Sequence, residues 1–337
     1  MSTPIANTVS NIVHLKTPED ALFEVLEIPG RGRGLVARRD IARGTRILLE
    51  TPILTGYAMK PEDMDTVVAA TLKQLPKSEQ QEFLLLHNKF PGKLPFYGIM
   101  RTNSLCCGPG SDIGAVYATI SLINHSCLPN SHGSWNRQQG HETVHAIRDI
   151  VCGEEITLAY TAEDLPSRPR QAVLKESFGF DCYCVVCSLP HLQLQASDAR
   201  RSRMHQLELL IDDRLTVHNS PGSSLANCRA FLRDLDDEYC GSAAGLTARV
   251  YDTAVRISAA HGDLARAVVF ARRAYHARVV CEGEDSPETR RAKSLMENPI
   301  SHEDYGCCSM RWRSKKRKVP NKLDAVEFEK WLWKEDS

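Results

Sequence analysis

The chain predicts an α+β protein: a β unit split by a helical insertion, then a short cysteine-rich segment, then an all-α lobe. Three observations carry that prediction. Strand-like stretches bounded by glycine and proline turns recur between residues 21 and 160. Residues 61–90 change to apolar spacings of three and four. From about Ala196 the apolar spacing stays helical almost to the end. At 337 residues the chain exceeds one ordinary core, so two lobes are expected.

In order, Phe23-Glu24-Val25-Leu26-Glu27-Ile28 alternates as a strand, Pro29-Gly30 stops it, and Arg46-Ile47-Leu48-Leu49 resumes after Arg43-Gly44. Val67, Val68, Leu72 and Leu75, followed beyond Pro76 by Phe83, Leu84 and Leu86, place a helical insertion at about 59–92. Strand signals return over Ala115 to Ile123, Thr143 to Ile147 and Ile156 to Tyr160, the last after the turn Cys152-Gly153-Glu154. Helices are expected over Met204 to Leu215, Leu225 to Leu235, Leu246 to Ala260, Leu264 to Cys281 and Ser286 to Met296. A short amphipathic helix, Val326 to Trp333, carries Phe328, Trp331 and Trp333. Tyr251, Ala254, Ile257, Gly262-Asp263, Ala267, Phe270 and Ala274 read as one tetratricopeptide-like helix pair, and a single copy argues for a helical hairpin, not a solenoid. The expected divisions are an N-terminal segment at 1–20, the split β unit at 21–164, the cysteine segment at 165–192 and the helical lobe at 196–337.

Apolar residues make up 42% and charged residues 25%, as in a soluble globular protein. No run of 18 apolar residues occurs, and residues 1–20 lack a basic start followed by an apolar stretch. The expectation is therefore a nuclear or cytoplasmic protein, neither secreted nor membrane-spanning. A formal net charge of zero excludes a surface built wholly for nucleic acid. The one basic run, Arg311 to Val319 with its charges at 311–318, reads as an import address or a local nucleic-acid contact.

Twelve cysteines without an export signal are expected to be reduced, with a subset binding metal. Cys182, Cys184 and Cys187 fall within six residues, and such crowded thiols suit tetrahedral zinc, which needs a fourth ligand. Cys127 is the candidate. A redox dithiol at Cys184 and Cys187 is the alternative, without the βαβ context it usually has. If Cys127 closes the site, the segments around residues 125 and 180 share one place in the fold.

Gly30-Arg31-Gly32-Arg33-Gly34 follows a strand and is by itself a flexible turn. No helix follows, so it is not a dinucleotide fingerprint. Its backbone suits close approach to a ligand, and its arginines suit a carboxylate, such as an amino-acid end. Asn124-His125-Ser126-Cys127-Leu128-Pro129-Asn130 enters a polar loop, and Glu154 to Tyr160 is a strand that ends on a tyrosine. Alone, the first is a turn and the second is packing.

Together and in this order, these motifs resemble the SET-domain protein methyltransferases, most closely the SET and MYND subgroup and its fungal relatives. The resemblance covers roughly Ala21 to Pro190, and more loosely the helical lobe. It implies a SET β fold with a pseudoknot through Asn124 to Cys127, a post-SET zinc held by Cys127, Cys182, Cys184 and Cys187, and a protein-lysine N-methyltransferase. S-adenosylmethionine would lie against Arg31, Gly32, Arg33, Gly34, Asn103, Ser121, Ile123, Asn124, His125 and Phe180. Tyr160 would be the catalytic tyrosine, and Tyr117, Tyr160 and Phe180 would line the lysine channel. The partner would be a protein substrate, a histone or another protein, with docking on the helical lobe, no nucleic acid, no membrane and a monomeric state. The MYND finger is absent, because Thr51 to Phe90 contains no cysteine and only His87. The alternative is a catalytically weak SET scaffold serving as a zinc-stabilised interaction or chromatin adaptor.

Overall fold

The computed structural model describes residues 20–335, so the expected N-terminal segment falls, but for Asp20, outside the described residues. Strands β1 (Phe23–Ile28) and β2 (Gly32–Ala37) pair antiparallel from Phe23 opposite Ala37 to Ile28 opposite Gly32. The glycine string is therefore only half a turn. Pro29, Gly30 and Arg31 close the hairpin, with Gly30 and Gly32 at positive φ, while Arg33 and Gly34 belong to the strand.

β3 (Arg46–Glu50) and β4 (Leu54–Tyr57) follow, then helices α1 (Pro61–Leu72), α2 (Lys77–Leu84) and α3 (Pro95–Asn103). The helical insertion thus runs about ten residues past the expected limit. The start of α3 is held from a distance, because the Asp65 carboxylate accepts the Phe96 and Tyr97 N–H groups at 2.8 and 2.9 Å. No local capping residue advertises that helix.

β5 (Leu105–Cys106), β6 (Ile113–Val116), β7 (Asn124–His125), β8 (Ser131–Asn136), β9 (His141–Ala146) and β10 (Glu155–Leu158) complete the β unit. The sheets run β1-β2-β10-β7, β3-β9-β8 and β4-β6-β5. The expected strand over 115–123 stops at Val116. The Glu50 carboxylate takes the Thr119 and Ile120 N–H groups and turns residues 120–122 into a 3-10 helix. β8 gave no strand signal, since Ser131-His132-Gly133-Ser134-Trp135-Asn136 is polar on both faces. Leu35, Val116, Val144, Ile150 and Ile156 fill the core between the sheets.

Past β10 the chain forms α4 (Ser167–Val173), which widens into a π-helical turn at residues 174–178 and ends at Gly179 with φ +85°. The helical lobe follows: α5 (His191–Asp212), α6 (Arg214–Asn219), α7 (Pro221–Tyr239), α8 (Ala244–Ala260), α9 (Leu264–Glu282), α10 (Pro287–Glu297) and α11 (Ala325–Trp333). Asp213 accepts the Thr216 N–H at 3.0 Å and caps α6, which breaks the single helix expected over Met204 to Leu215. The helix pair is α8 with α9, packed through fully buried Ala254, Ile257, Ala267, Phe270 and Ala274. No described helix is long and apolar enough to cross a membrane. Arg311 donates to the His218 and Asn219 carbonyls and Lys316 to that of Glu297, so part of the basic run is tethered to the lobe.

Candidate active site and thiol cluster

β10 is central to the site. It pairs antiparallel with β2 and parallel with β7, placing Asn124 opposite Thr157 and His125 opposite Leu158. The Asn130 side chain reinforces this by accepting the Thr157 N–H at 2.8 Å and donating to the Glu155 carbonyl at 2.8 Å. Tyr160 falls two residues past the strand. Its hydroxyl donates to the Ile123 carbonyl at 2.6 Å, and its N–H donates to His125 Nδ1 at 3.0 Å. Burial raises the hydroxyl pKa, so it stays protonated as a donor.

The four thiols meet. Cys127 Sγ lies 3.5 Å from Cys187 and 3.9 Å from Cys182, and the four sulfurs all lie within 4.8 Å of one another. Tetrahedral zinc with sulfur at about 2.3 Å requires sulfurs about 3.8 Å apart, so the spacing fits that ion. Hydrogen bonds from Cys127 and then Cys182 lower the Cys187 thiol to about 6. Hydrogen bonds led by Cys127 also lower the Cys184 thiol. The fully buried Arg170 puts its guanidinium 3.8 Å from Cys187 Sγ, where it offsets the negative charge of thiolates. Gln171 grips the Cys182 backbone at both its N–H and its carbonyl, at 2.9 and 2.7 Å. Buried Arg201 donates to the Cys127 carbonyl at 3.1 Å and pairs with Glu238 at 2.7 Å, fastening the cluster to α5 and α7.

Beside the cluster opens a cleft of about 1160 Å³, large enough for a nucleoside-sized molecule and a peptide side chain. Arg31, Gly32, Arg33, Asn103, Ser121, Ile123, Asn124, His125, Tyr160 and Phe180 all line it. Gly34 does not. A Cβ there would come within 2.8 Å of Asn124 Nδ2, so this glycine serves the cleft by letting Asn124 approach. Arg31 pairs with Glu155 at 2.5 Å and also meets the His125 carbonyl, and Arg33 reaches the Leu85 carbonyl at 2.6 Å. Asn103 Nδ2 bonds the His87 and Ile99 carbonyls at 2.7 Å each, which ties the insertion to this rim.

Tyr117 departs from expectation. It stands just past β6, fully buried in the core, and it is absent from the cleft wall. The ring beside Tyr160 is Phe178, 4.7 Å from it between centroids, with Phe180 at 6.5 Å and His125 at 5.3 Å. Phe178 was readable as an aromatic two residues before Phe180. Arg170 and Arg201 gave no signal, since their roles come from contacts 17 and 74 residues distant in sequence.

Residues 32–161 match the family model described as the SET domain. Over 286 residues the chain is 32% identical to "Histone-lysine N-methyltransferase set5" of Schizosaccharomyces pombe, covering 84% of this chain and 86% of that protein. It is 34% identical over 137 residues to "Histone-lysine N-methyltransferase SMYD3" of Homo sapiens, covering 40% and 32% of the two chains. It is 35% identical over 80 residues to "Histone-lysine N-methyltransferase ATXR4" of Arabidopsis thaliana, covering 24% of each. The chain belongs to the SET-domain protein-lysine methyltransferases, in the branch that resembles the SET and MYND subgroup.

Proposed function

We propose that the protein transfers a methyl group from S-adenosylmethionine to the ε-amine of a lysine on a histone or another protein. One observation carries this most: Cys127 reaches Cys182, Cys184 and Cys187, so Tyr160, Phe178, Phe180 and the pair Asn124–His125 surround a single cleft. In this reading the cleft wall formed by Arg31 to Arg33, Asn103, Ser121, Ile123, Asn124, His125 and Phe180 holds the cofactor. Gly34 supports it, and the four cysteines hold a structural zinc.

S-adenosylmethionine supplies an electrophilic methyl on a positive sulfonium. The protein must present the acceptor as a neutral amine, which for a lysine of pKa 10.4 costs about 4 kcal/mol at pH 7.4. Tyr160, Phe178 and Phe180 exclude water around that amine, and desolvation lowers its pKa. The Tyr160 hydroxyl, held protonated, acts by orientation and not as a base. Fixing reactants in near-attack geometry is worth about 7 kcal/mol or more in well-aligned models.

The split SET unit at 21–164, the post-SET segment at 165–192 and the lobe at 196–337 are the functional divisions of this proposal, with the lobe as a docking surface for the protein substrate. The exposed basic charges at 311–318 support a nuclear as well as a cytoplasmic pool. The test is methyl transfer from labelled S-adenosylmethionine to core histones and to a whole lysate. Label on a lysine that depends on Tyr160 supports the proposal, whereas transfer to no protein overturns it.

A further inference from the structure

Glu142 is a buried carboxyl to which methyl transfer, as described above, assigns no task. It lies on β9 opposite Trp135, and Gly133 on β8 lies opposite Val144. Glu142 and Val144 share a sheet face, so the carboxyl leans diagonally over Gly133. A Cβ on residue 133 would stand 2.9 Å from Glu142 Oε1. Gly133 does not occupy the left-handed region, so space and not backbone conformation makes glycine useful there. Both residues line the cleft.

The carboxyl is poorly served by its own protein. Glu142 is 3% exposed, and Oε2 has no hydrogen-bond partner. An unpaired buried acceptor of this kind costs about 1–3 kcal/mol. The ionisable groups around this face are Glu50 from β3, Cys107 between β5 and β6, and Tyr117 past β6, none of which can carry a positive charge. His141 and His145 alternate to the other face of β9, and His132 pairs with His145 on that side. Burial raises the carboxyl pKa to about 8. Elsewhere the cleft wall carries Arg31 in the β1–β2 turn, Arg33 on β2, and the acidic Glu163 and Asp181.

We propose that Glu142 forms the floor of a subsite for a basic side chain of the protein substrate: an arginine or lysine flanking the target lysine lies over Gly133 and pairs with the Glu142 carboxylate. This rests on the reading that the acceptor peptide occupies this cleft. The bound cation fills the open acceptor and makes a charge-assisted hydrogen bond to a nearly buried carboxylate, where such bonds are stronger than in water. It also displaces the proton that burial otherwise keeps on the carboxyl. The cation approaches from the cleft that Gly133 and Glu142 both line, and Arg31 in the β1–β2 turn and Arg33 on β2 repel it from the cofactor wall.

The test uses degenerate peptides with norleucine at the target position, in which one arginine or its neutral isostere citrulline is walked over three positions on either side. Binding to the full chain is read by fluorescence anisotropy, and a matching set with lysine at the target is read by label transfer. At one position the wild type binds the arginine peptide at least tenfold more tightly than the citrulline peptide and releases a proton on binding at pH 7, seen as a buffer-dependent heat. Glu142→Gln brings that preference within twofold and abolishes the proton release. Gly133→Ala, whose Cβ would stand 2.9 Å from Oε1 and push the carboxylate out of place, also loses the preference. Equal binding of both peptides at every position by the wild type overturns the proposal without reference to any variant, and so does a preference that survives in Glu142→Gln. Discrimination in binding without label transfer keeps the subsite and refutes methyl transfer, whereas transfer without discrimination does the reverse.

Discussion

His125 Nε2 lies 3.2 Å from Cys127 Sγ. The same ring accepts the Tyr160 N–H on Nδ1, so its single proton stands on Nε2 and points at the sulfur. Burial depresses the imidazole pKa to about 4, which keeps the ring neutral near pH 7. One imidazole thereby joins the thiol cluster to the tyrosine at the cleft. Its Nε2–H donates to the thiol that the proposed zinc would take, a contact that would orient that ligand and set its charge.

Metal content is the first consequence. Freshly reduced protein should carry one zinc per chain by elemental analysis. Cys184→Ser should lose most of it and lower the thermal midpoint, because the segment from Cys182 to Cys187 has no strand or α-helix of its own and is held by the cluster. Full stability and activity in metal-free wild type would remove zinc from the structure.

Tyr160→Phe removes one hydroxyl that donates to Ile123. Stability should fall by about 0.5–1.5 kcal/mol, the net worth of one hydrogen bond. Label transfer should fall by two orders of magnitude or more, because orientation contributes far more than the bond itself. Transfer within twofold of wild type would show that the hydroxyl takes no part.

Arg201→Met should be among the most destabilising single changes. It strands the buried carboxylate of Glu238, which Arg200 also contacts but from a more exposed position. Breaking a buried ion pair typically costs about 3–5 kcal/mol. A urea midpoint shifted by that amount at unchanged slope is expected, and Arg201→Met with Glu238→Leu should recover a large part of the loss.

The pH dependence of stability should carry the mark of Glu142. Burial raises its folded pKa to about 8 from the usual 4.5. Below 4.5 the carboxyl is protonated in both states and costs nothing. Between 4.5 and 8 the unfolded chain releases the proton while the folded chain keeps it, so this group lowers stability as pH rises through that window, and its effect levels off above 8. Glu142→Gln should therefore gain stability over wild type as pH rises from 5 to 8, measured by thermal melts at each pH. A constant difference across that range would place the ionisation elsewhere.

The motifs were legible because each was continuous in the chain: the Cys-x-Cys-x-x-Cys string, the Asn-His-Ser-Cys loop, and the strand ending in Tyr160. Alternation and spacing likewise exposed β1, β10 and most of the lobe, where one buried face repeats at a fixed period. β8 and α3 stayed hidden for physical reasons. β8 is polar on both faces, and α3 begins on a carboxylate 31 residues upstream of Phe96.

By itself the sequence determined the set of reactive groups, their order and their local periodicity, since covalent spacing decides which side chains can face one way. The tertiary structure decided which of them meet. It turned Tyr117 into the core and put Phe178 beside Tyr160. It also buried Arg170 and Arg201 against the cluster and left Glu142 without a partner at the edge of the cleft. Those outcomes depend on burial and on contacts between distant strands and helices, where desolvation and close packing act on pairs that no local pattern brings together.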